Sequence, residues 1–206
     1  AAHVRVADGV PAPDFQIIFG PLYYFDNGFK TYPGPAFSTG PSFIRPRSEG
    51  EVKLRSADPH DPVAIHLNWL SEPDEMRDMI AAVRLAREIA LTGPLGAIAK
   101  RNIDPGPGVK SDSELEAWLR AEVQHTYHAS CTVRMGGEDD GVLDERLAVR
   151  GVDGLRVVDA SSMPRVTGGN TNAPTIMIGE RGADFILGRE PLAPARQAAA
   201  ESPAGA

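Results

Sequence analysis

The spacing of apolar residues changes part-way along this chain, and that change constrains the fold more than any other feature. Between Phe15 and Leu70, short aromatic and β-branched runs alternate with polar residues and are cut by Gly and Pro, which is typical of strands and loops. From Ser71 onward apolar residues recur every three or four positions, which indicates amphipathic helices. The two periods predict an α+β protein. The 21 Gly and 18 Pro, high for a helical bundle, favour the same class.

The first part of the chain contains three segments that fit strands: 15–19, 50–56 and 64–70. In the second, apolar and charged residues alternate, which predicts a half-buried strand. In the third, alternate side chains would point to opposite faces of the strand. Its core face would carry Ile65, Leu67 and Trp69. His66 and Asn68 would lie on the opposite, polar face.

Helical patterns dominate the rest of the chain, with helices predicted at about 72–91, 112–124 and 174–187. Ser111 and Glu114 have the spacing of a capping box at the start of the second helix. The third has Pro174 in its first turn and Asn172 as its predicted N-cap. A short apolar run, 155–159, precedes it and predicts a buried strand.

Charge and hydropathy argue against two classes of partner. The chain has 21 Lys and Arg against 28 Asp and Glu, a net charge of −7, which disfavours binding to a phosphate backbone. No apolar run approaches the ~20 residues of a membrane-spanning helix. With no leader at the first residues, a cytoplasmic location is expected. The ends, 1–12 and 191–206, are predicted to be flexible.

One histidine-rich segment leaves several chemical readings open. His125, His128 and Cys131 have a spacing at which imidazole and thiolate could converge on Zn²⁺, although no fourth ligand is apparent. Cys131 could instead be a nucleophile with His128 as its base. A single cysteine is more often a small core residue, and we favour that reading of Cys131, with no metal.

Three longer blocks carry a more specific signal: 127–136, 151–164 and 169–181. In this order they resemble the carboxy-terminal signature of the glucose–methanol–choline oxidoreductases, which are flavin-dependent alcohol oxidases and dehydrogenases. Upstream segments resemble the substrate-domain strands of the same family: 45–50, 57–59 and 68–70. The resemblance covers roughly residues 13 to 188. It implies FAD as the cofactor and a small alcohol, oxidised to an aldehyde, as the substrate.

The resemblance also implies roles for individual residues. His128 would be the base that takes the hydroxyl proton, because an imidazole exchanges protons near neutral pH. Asn170 would bind the substrate oxygen, as in the His/Asn subtype, since an amide donates a hydrogen bond but is no base. Tyr127 would turn toward the pocket, or be a core aromatic. His66 and Asn68 would line the substrate cavity, although exposed edge positions explain them equally well.

The helix start near Pro174 would lie under the flavin, where unpaired N–H groups and the helix dipole stabilise negative charge. The residues implied to contact the cofactor there are Asn170, Thr171, Asn172, Pro174 and Thr175. Asp159 and Ala160 would meet the ribityl or pyrophosphate part of FAD. A plain N-cap and a self-capping turn are the competing interpretations of these two segments.

One expected motif of the family is absent from the sequence. No Gly-x-Gly-x-x-Gly occurs, so the amino-terminal FAD-binding half is expected to be a separate chain or a missing segment. Residues 13–125 would form the substrate-binding domain and 126–188 the catalytic and flavin-edge segment. The alternative is a non-catalytic binding or regulatory module that kept the fold without the FAD-binding half.

Overall fold

Small antiparallel sheets and helices make up the computed structural model, which describes residues 1–190 and 192. This mixture confirms the predicted α+β class. The strands are β1 (Ala2–Val4), β2 (Phe15–Gly20), β3 (Ser38–Phe43), β4 (Glu51–Lys53) and β5 (Ala64–His66). The helices are α1 (Pro73–Leu91), α2 (Gly93–Ile98), α3 (Asp112–Glu122) and α4 (Asn172–Leu187). Two short 3-10 turns lie at Asp26–Gly28 and Ala160–Ser162.

The first sheet has the antiparallel order β1-β2-β3. Phe15 pairs with Phe43 in its register, and their rings stack with centroids 4.5 Å apart. Val4 pairs with Phe15 on the other side. Residues 2–4 are therefore a strand, where the sequence suggests part of a flexible end. The predicted flexible end at 191–206 lies outside the described residues, apart from Leu192.

The second sheet, β4 and β5, is shorter and more exposed than the sequence predicts. Asn68 and Leu70 have left-handed backbones, with φ of 51° and 54°, so the extended chain ends at His66 instead of continuing to residue 70. Ile65 is 62% exposed and Leu54 is 81% exposed. The prediction that this apolar face is core is therefore wrong for the described part of the chain, where β4 and β5 pair only with each other.

The main core is built where α1 and α3 pack beside the first sheet. As predicted, α1 buries one stripe of its surface: Met76, Met79, Ile80, Val83 and Ala86. Leu115 and Leu119 of α3 pack with this stripe and with Phe15. The predicted capping box is confirmed, because the Ser111 hydroxyl accepts from the Glu114 N–H and the Glu114 carboxylate accepts from the Ser111 N–H.

A second apolar cluster forms beyond residue 130 around Leu143, Leu147, Met163 and Ile178. The predicted strand at 155–159 is wrong: Leu155 is 48% exposed, and only an isolated bridge joins Arg156 to Ala148. Because Gly154 has a φ of 73°, the chain turns just before this run. The boundary predicted between 125 and 126 stays a prediction.

No helix among residues 1–190 is long and apolar enough to cross a membrane. The cytoplasmic location stays a prediction.

Candidate active site

A ladder of backbone hydrogen bonds joins the first two motif blocks. The N–H of Cys131 donates to the Ala160 carbonyl at 3.2 Å. The N–H groups of Val133 and Met135 donate to Ser161 and Ser162 at 3.0 and 2.9 Å. The segment that follows His128 is therefore held against the turn that follows Asp159.

The third block contacts the second block, because α4 comes close to Val158. A Cβ on Gly182 would lie 2.2 Å from Cγ1 of Val158, far inside van der Waals contact. Because glycine inside a helix is less stable than alanine, Gly179 and Gly182 predict places where a neighbouring element comes close, and this is confirmed at Gly182 only. At Gly179 nothing among the described residues lies within 4 Å of the Cβ position.

His128 contacts the start of α4 directly. Its ring nitrogen Nδ1 lies 3.1 Å from Oγ1 of Thr171, which is 8% exposed. When Nδ1 carries the proton and donates to Thr171, the lone pair of Nε2 is available. Among the described residues no hydrogen bond involves Nε2. The imidazole is thus oriented through Nδ1, and in the tautomer in which Nδ1 donates, Nε2 can accept a hydrogen bond or a proton.

The start of α4 has no side-chain cap. The helix begins at Asn172 with Thr171 as N-cap, two residues earlier than predicted, and the Thr171 hydroxyl faces His128 instead of the helix N–H groups. Within residues 1–190, the backbone N–H groups of Asn172 and Ala173 have no acceptor. Helix dipoles place partial positive charge at such an end. A site for negative charge therefore lies beside the imidazole.

Asn170 directly precedes this N-cap. Its side chain is exposed and forms no hydrogen bond with the described residues, so its amide is available to a ligand. Gly168, two residues earlier, lies close to Arg45, because a Cβ on Gly168 would lie 3.5 Å from the guanidinium nitrogens Nε and Nη2. The sequence analysis places Arg45 in a segment that resembles the substrate domain, but no local pattern pairs it with Gly168, which lies far along the chain.

The second predicted cofactor segment has structural duties of its own. Asp159 caps its turn, because its carboxylate accepts from the N–H and the hydroxyl of Ser161 at 2.7 and 2.5 Å. The Ala160 carbonyl accepts from Cys131. In α4, the Thr175 hydroxyl donates to the Thr171 carbonyl at 2.7 Å, and Pro174 occupies the first turn. The two bonds of the Asp159 carboxylate fit a self-capping turn, and a cofactor contact at residues 159–160 stays a prediction.

Tyr127 is not a core aromatic, since it is 62% exposed. Its hydroxyl lies 2.8 Å from the Tyr24 hydroxyl and donates to Oδ1 of Asn27 at 3.1 Å. Because the single Tyr127 proton goes to Asn27, Tyr24 is the donor in the tyrosine pair. This hydrogen bond is the main reason that the pKa of Tyr24 is raised. The Asn27-Gly28 pair is a turn signal in the sequence, but nothing in the sequence links it to Tyr127.

His66 and Asn68 lie elsewhere. Both line an open groove of about 650 Å³ with Glu49 and Glu51. The Asn68 amide donates to the Glu49 carbonyl at 3.0 Å and to the Ser71 hydroxyl. Next to this groove, Trp69 lies against His125 with ring centroids 6.3 Å apart, and Arg134 pairs with Glu49 at 3.5 Å. A role for His66 and Asn68 in lining the substrate cavity stays a prediction.

The metal and thiol alternatives find no support in the described residues. No group of three His, Cys, Asp or Glu side chains there could hold a metal ion, so His125, His128 and Cys131 do not converge. The Cys131 thiol donates to the Ser130 hydroxyl at 3.3 Å, and the His128 ring contacts Thr171 instead. His125 packs edge-on against Tyr127 with ring centroids 4.5 Å apart.

Comparison with known sequences points to one family. A family model described as GMC oxidoreductase matches residues 46–179. The chain is 44% identical over 190 residues to the oxygen-dependent choline dehydrogenase of Burkholderia orbicola, covering 92% of this chain and 34% of that protein. It is 43% identical over 191 residues to the mitochondrial choline dehydrogenase of Mus musculus, covering 92% and 32%. The chain thus spans about a third of the length of these relatives.

Solved structures agree on the fold. The pyridoxine 4-oxidase of Mesorbium loti matches with a TM-score of 0.81 at 24% identity, covering 92% of this chain and 38% of that one. A structure concerned with FAD modification in the formate oxidase of Aspergillus oryzae matches with a TM-score of 0.79 at 28% identity. That match covers 87% of this chain and 32% of the formate oxidase.

Proposed function

This chain belongs to the GMC oxidoreductase family, and we propose that it is the carboxy-terminal catalytic part of an FAD-dependent alcohol oxidase or dehydrogenase. The observation that carries the proposal is the hydrogen bond between Nδ1 of His128 and the hydroxyl of Thr171. It orients a basic imidazole nitrogen beside an uncapped helix start. This is the arrangement that alcohol oxidation needs, since a proton and a hydride must both leave the substrate.

The start of α4 fits the flavin. The N–H groups of Asn172 and Ala173 have no acceptor among the described residues, and they suit the negative charge of a reduced isoalloxazine edge. When bound, FAD supplies the acceptor for the hydride. The backbone N–H groups, the exposed Asn170 and Asn172, and the partly buried Thr175 would hold that edge.

His128 would take the alcohol proton at Nε2, with Thr171 holding the other ring nitrogen. Asn170 would donate a hydrogen bond from its amide N–H to the substrate oxygen and stabilise the charge that develops there as the proton leaves. An amide has no basic lone pair at neutral pH, so the two residues have different roles. The reaction would convert a primary alcohol to an aldehyde. Choline, named in both relatives, is the first substrate to assay.

The partner would be an amino-terminal FAD-binding half. The chain's own share of the site is the flavin edge, with no Gly-x-Gly-x-x-Gly turn for the pyrophosphate. The 206-residue chain by itself should therefore purify without flavin colour. A yellow flavin spectrum in the absence of any second polypeptide would contradict this division of the site.

The decisive experiment is His128→Ala in the flavin-loaded enzyme that carries this chain with its FAD-binding part. Turnover of choline should fall by at least about a hundredfold, as expected for loss of a general base. His60→Ala is the matched control, because His60 lies in an exposed turn and, among the described residues, only its backbone N–H forms a hydrogen bond, to Asp58. Turnover near wild type in His128→Ala would rule out this mechanism.

A further inference from the structure

A tight turn at residues 26–28 is held against the segment that leads into His128. Three successive residues of this turn have left-handed backbones: Asp26, Asn27 and Gly28 have φ of 48°, 51° and 86°. Asn tolerates this region better than most residues, and Gly pays no steric cost there. A conformation of this kind persists only when surrounding contacts enforce it.

Contacts within the turn and with α3 enforce this conformation. Phe25 and Lys30 form a bridge across the turn, and the Lys30 ammonium lies 4.7 Å from the centroid of the Phe25 ring. Phe25 also packs on Trp118 of α3 with ring centroids 6.1 Å apart. Because α3 ends at Glu122, the turn rests on the helix that leads directly to the His128 segment.

The turn bonds that segment at two points. The backbone N–H of Asn27 donates to Oε1 of Gln124 at 2.9 Å. The side-chain carbonyl of Asn27 accepts from the Tyr127 hydroxyl at 3.1 Å. One residue therefore holds both ends of the stretch 124–127, about a hundred positions further along the chain.

Tyr127 needs such support, because its φ is 61°. A residue with a Cβ rarely adopts a left-handed backbone, and a bulky aromatic there is an outlier. Its N–H donates to Nδ1 of His125 at 3.2 Å, and its hydroxyl is held by Asn27. The backbone angles of Tyr127 set the direction in which the chain enters His128.

We propose that Asn27 is a positioning residue for His128: by holding Gln124 and Tyr127 it sets the backbone that carries the imidazole, while Thr171 holds the ring. The inference rests on the proposed function of His128. The side chains of Asn27, Tyr24 and Tyr127 are exposed, so their hydrogen bonds add little to folding stability. Loss of the Asn27 carbonyl should therefore affect turnover more than stability.

Asn27→Gly is the direct test in the flavin-loaded enzyme, since it permits the left-handed turn and removes only the side-chain acceptor. We expect kcat for choline to fall about tenfold, with KM within about twofold, because a small misplacement of the base slows the chemical step. Asn27→Asp keeps an acceptor and tolerates the same backbone, and it should restore kcat. Asp26→Gly is the control, because the Asp26 side chain has no hydrogen bond among the described residues and its φ is also left-handed.

Tyr127→Phe removes the hydrogen bond between Tyr127 and Asn27 by deleting its donor. This variant tests the role of Asn27 if Asn27→Gly does not fold. Tyr127→Phe also removes the hydrogen bond to Tyr24, so the double variant should be no slower than Tyr127→Phe, which has already lost the bond that Asn27→Gly deletes. Wild-type kcat in Asn27→Gly, failure of Asn27→Asp to restore kcat, or additive losses would overturn the inference. If His128→Ala abolishes turnover while Asn27→Gly is unaffected, only the role of Asn27 fails. If His128→Ala retains turnover, both the proposed function and the role of Asn27 fail.

Discussion

The imidazole of His128 and the hydroxyl of Thr171 are joined by a hydrogen bond, with 3.1 Å between Nδ1 and Oγ1, across 43 positions of sequence. Thr171 is the N-cap residue of α4, yet its hydroxyl makes no cap bond to the helix. One side chain thus both orients the imidazole and leaves the first N–H groups of the helix free. The proposed base and the proposed flavin contact depend on the same threonine.

Replacing Thr171 by Val should lower kcat about tenfold, equivalent to about 1.4 kcal/mol, because the imidazole loses the partner of Nδ1. Thr171→Ser keeps the hydroxyl and should stay close to wild type. Steady-state kinetics of both variants, with flavin content measured in parallel, make the comparison. Equal kcat in the Val and Ser variants would show that the hydroxyl has no part in turnover.

Gly182→Ala should destabilise the protein by about 1–3 kcal/mol, since the added Cβ would overlap Val158. The expected fall in Tm is a few degrees per kcal/mol at this chain length. Gly179→Ala is the matched control in the same helix, where Ala is the better helix former and the Cβ position is open. Thermal unfolding that ranks Gly182→Ala at or above Gly179→Ala would contradict the close approach.

The Tyr23 hydroxyl should lose its proton at a higher pH than an ordinary tyrosine. Burial, followed by the hydrogen bond from its hydroxyl to Asp104 and the charge of that carboxylate, raises the pKa of Tyr23 to about 12. The folded state holds this proton more tightly than the unfolded state, so the stabilisation is complete below pH 10 and is lost as pH rises toward 12. Absorbance of tyrosinate, compared between wild type and Tyr23→Phe, follows the titration. In Asp104→Asn the pKa should move back toward 10; an unchanged titration would exclude the role of Asp104.

The capping box of α3 should make the stability of the protein depend on pH in the acid range. Backbone hydrogen bonds from Ser111 and Lys110 lower the pKa of Glu114 from 4.5 to about 2. The stabilisation is therefore present above pH 4.5 and is lost as pH falls toward 2. Glu114→Gln should lower Tm at neutral pH and converge with wild type in acid. Glu116→Gln, which alters only the surface pair with Arg120, should show a smaller change. A constant gap between Glu114→Gln and wild type across this range would rule out the linkage.

Structural elements whose formation depends on residues close together in the sequence were predictable from the sequence. The stripe from Met76 to Ala86 follows from helical periodicity, and the Ser111–Glu114 cap follows from a spacing of three residues. The three motif blocks likewise named His128, Asn170 and the start of α4 as one candidate site. Their roles stay a proposal that the structure supports through the contact between His128 and Thr171.

Other features depend on partners that local patterns do not specify. Ile65 fits a core strand by alternation, but Asn68 and Leu70 turn the backbone left-handed, and Ile65 stays 62% exposed. Leu155 fits a buried strand by composition, but Gly154 turns the chain before it. In both segments the pattern of side chains fits a strand, but the extended chain stops at His66 in the first, and Arg156 forms only an isolated bridge to Ala148 in the second.

Periodicity and capping act over a few residues, so the amino-acid sequence by itself determined the helices α1, α3 and α4, the class of the fold and the motif blocks. The hydrogen bonds from Tyr127 to Asn27 and from His128 to Thr171 join residues 100 and 43 positions apart. Only the packing of the whole chain decides which distant groups meet, because closing such loops costs entropy that the contacts of many residues together must offset. The tertiary structure therefore decided the orientation of the proposed base and the turn that supports it.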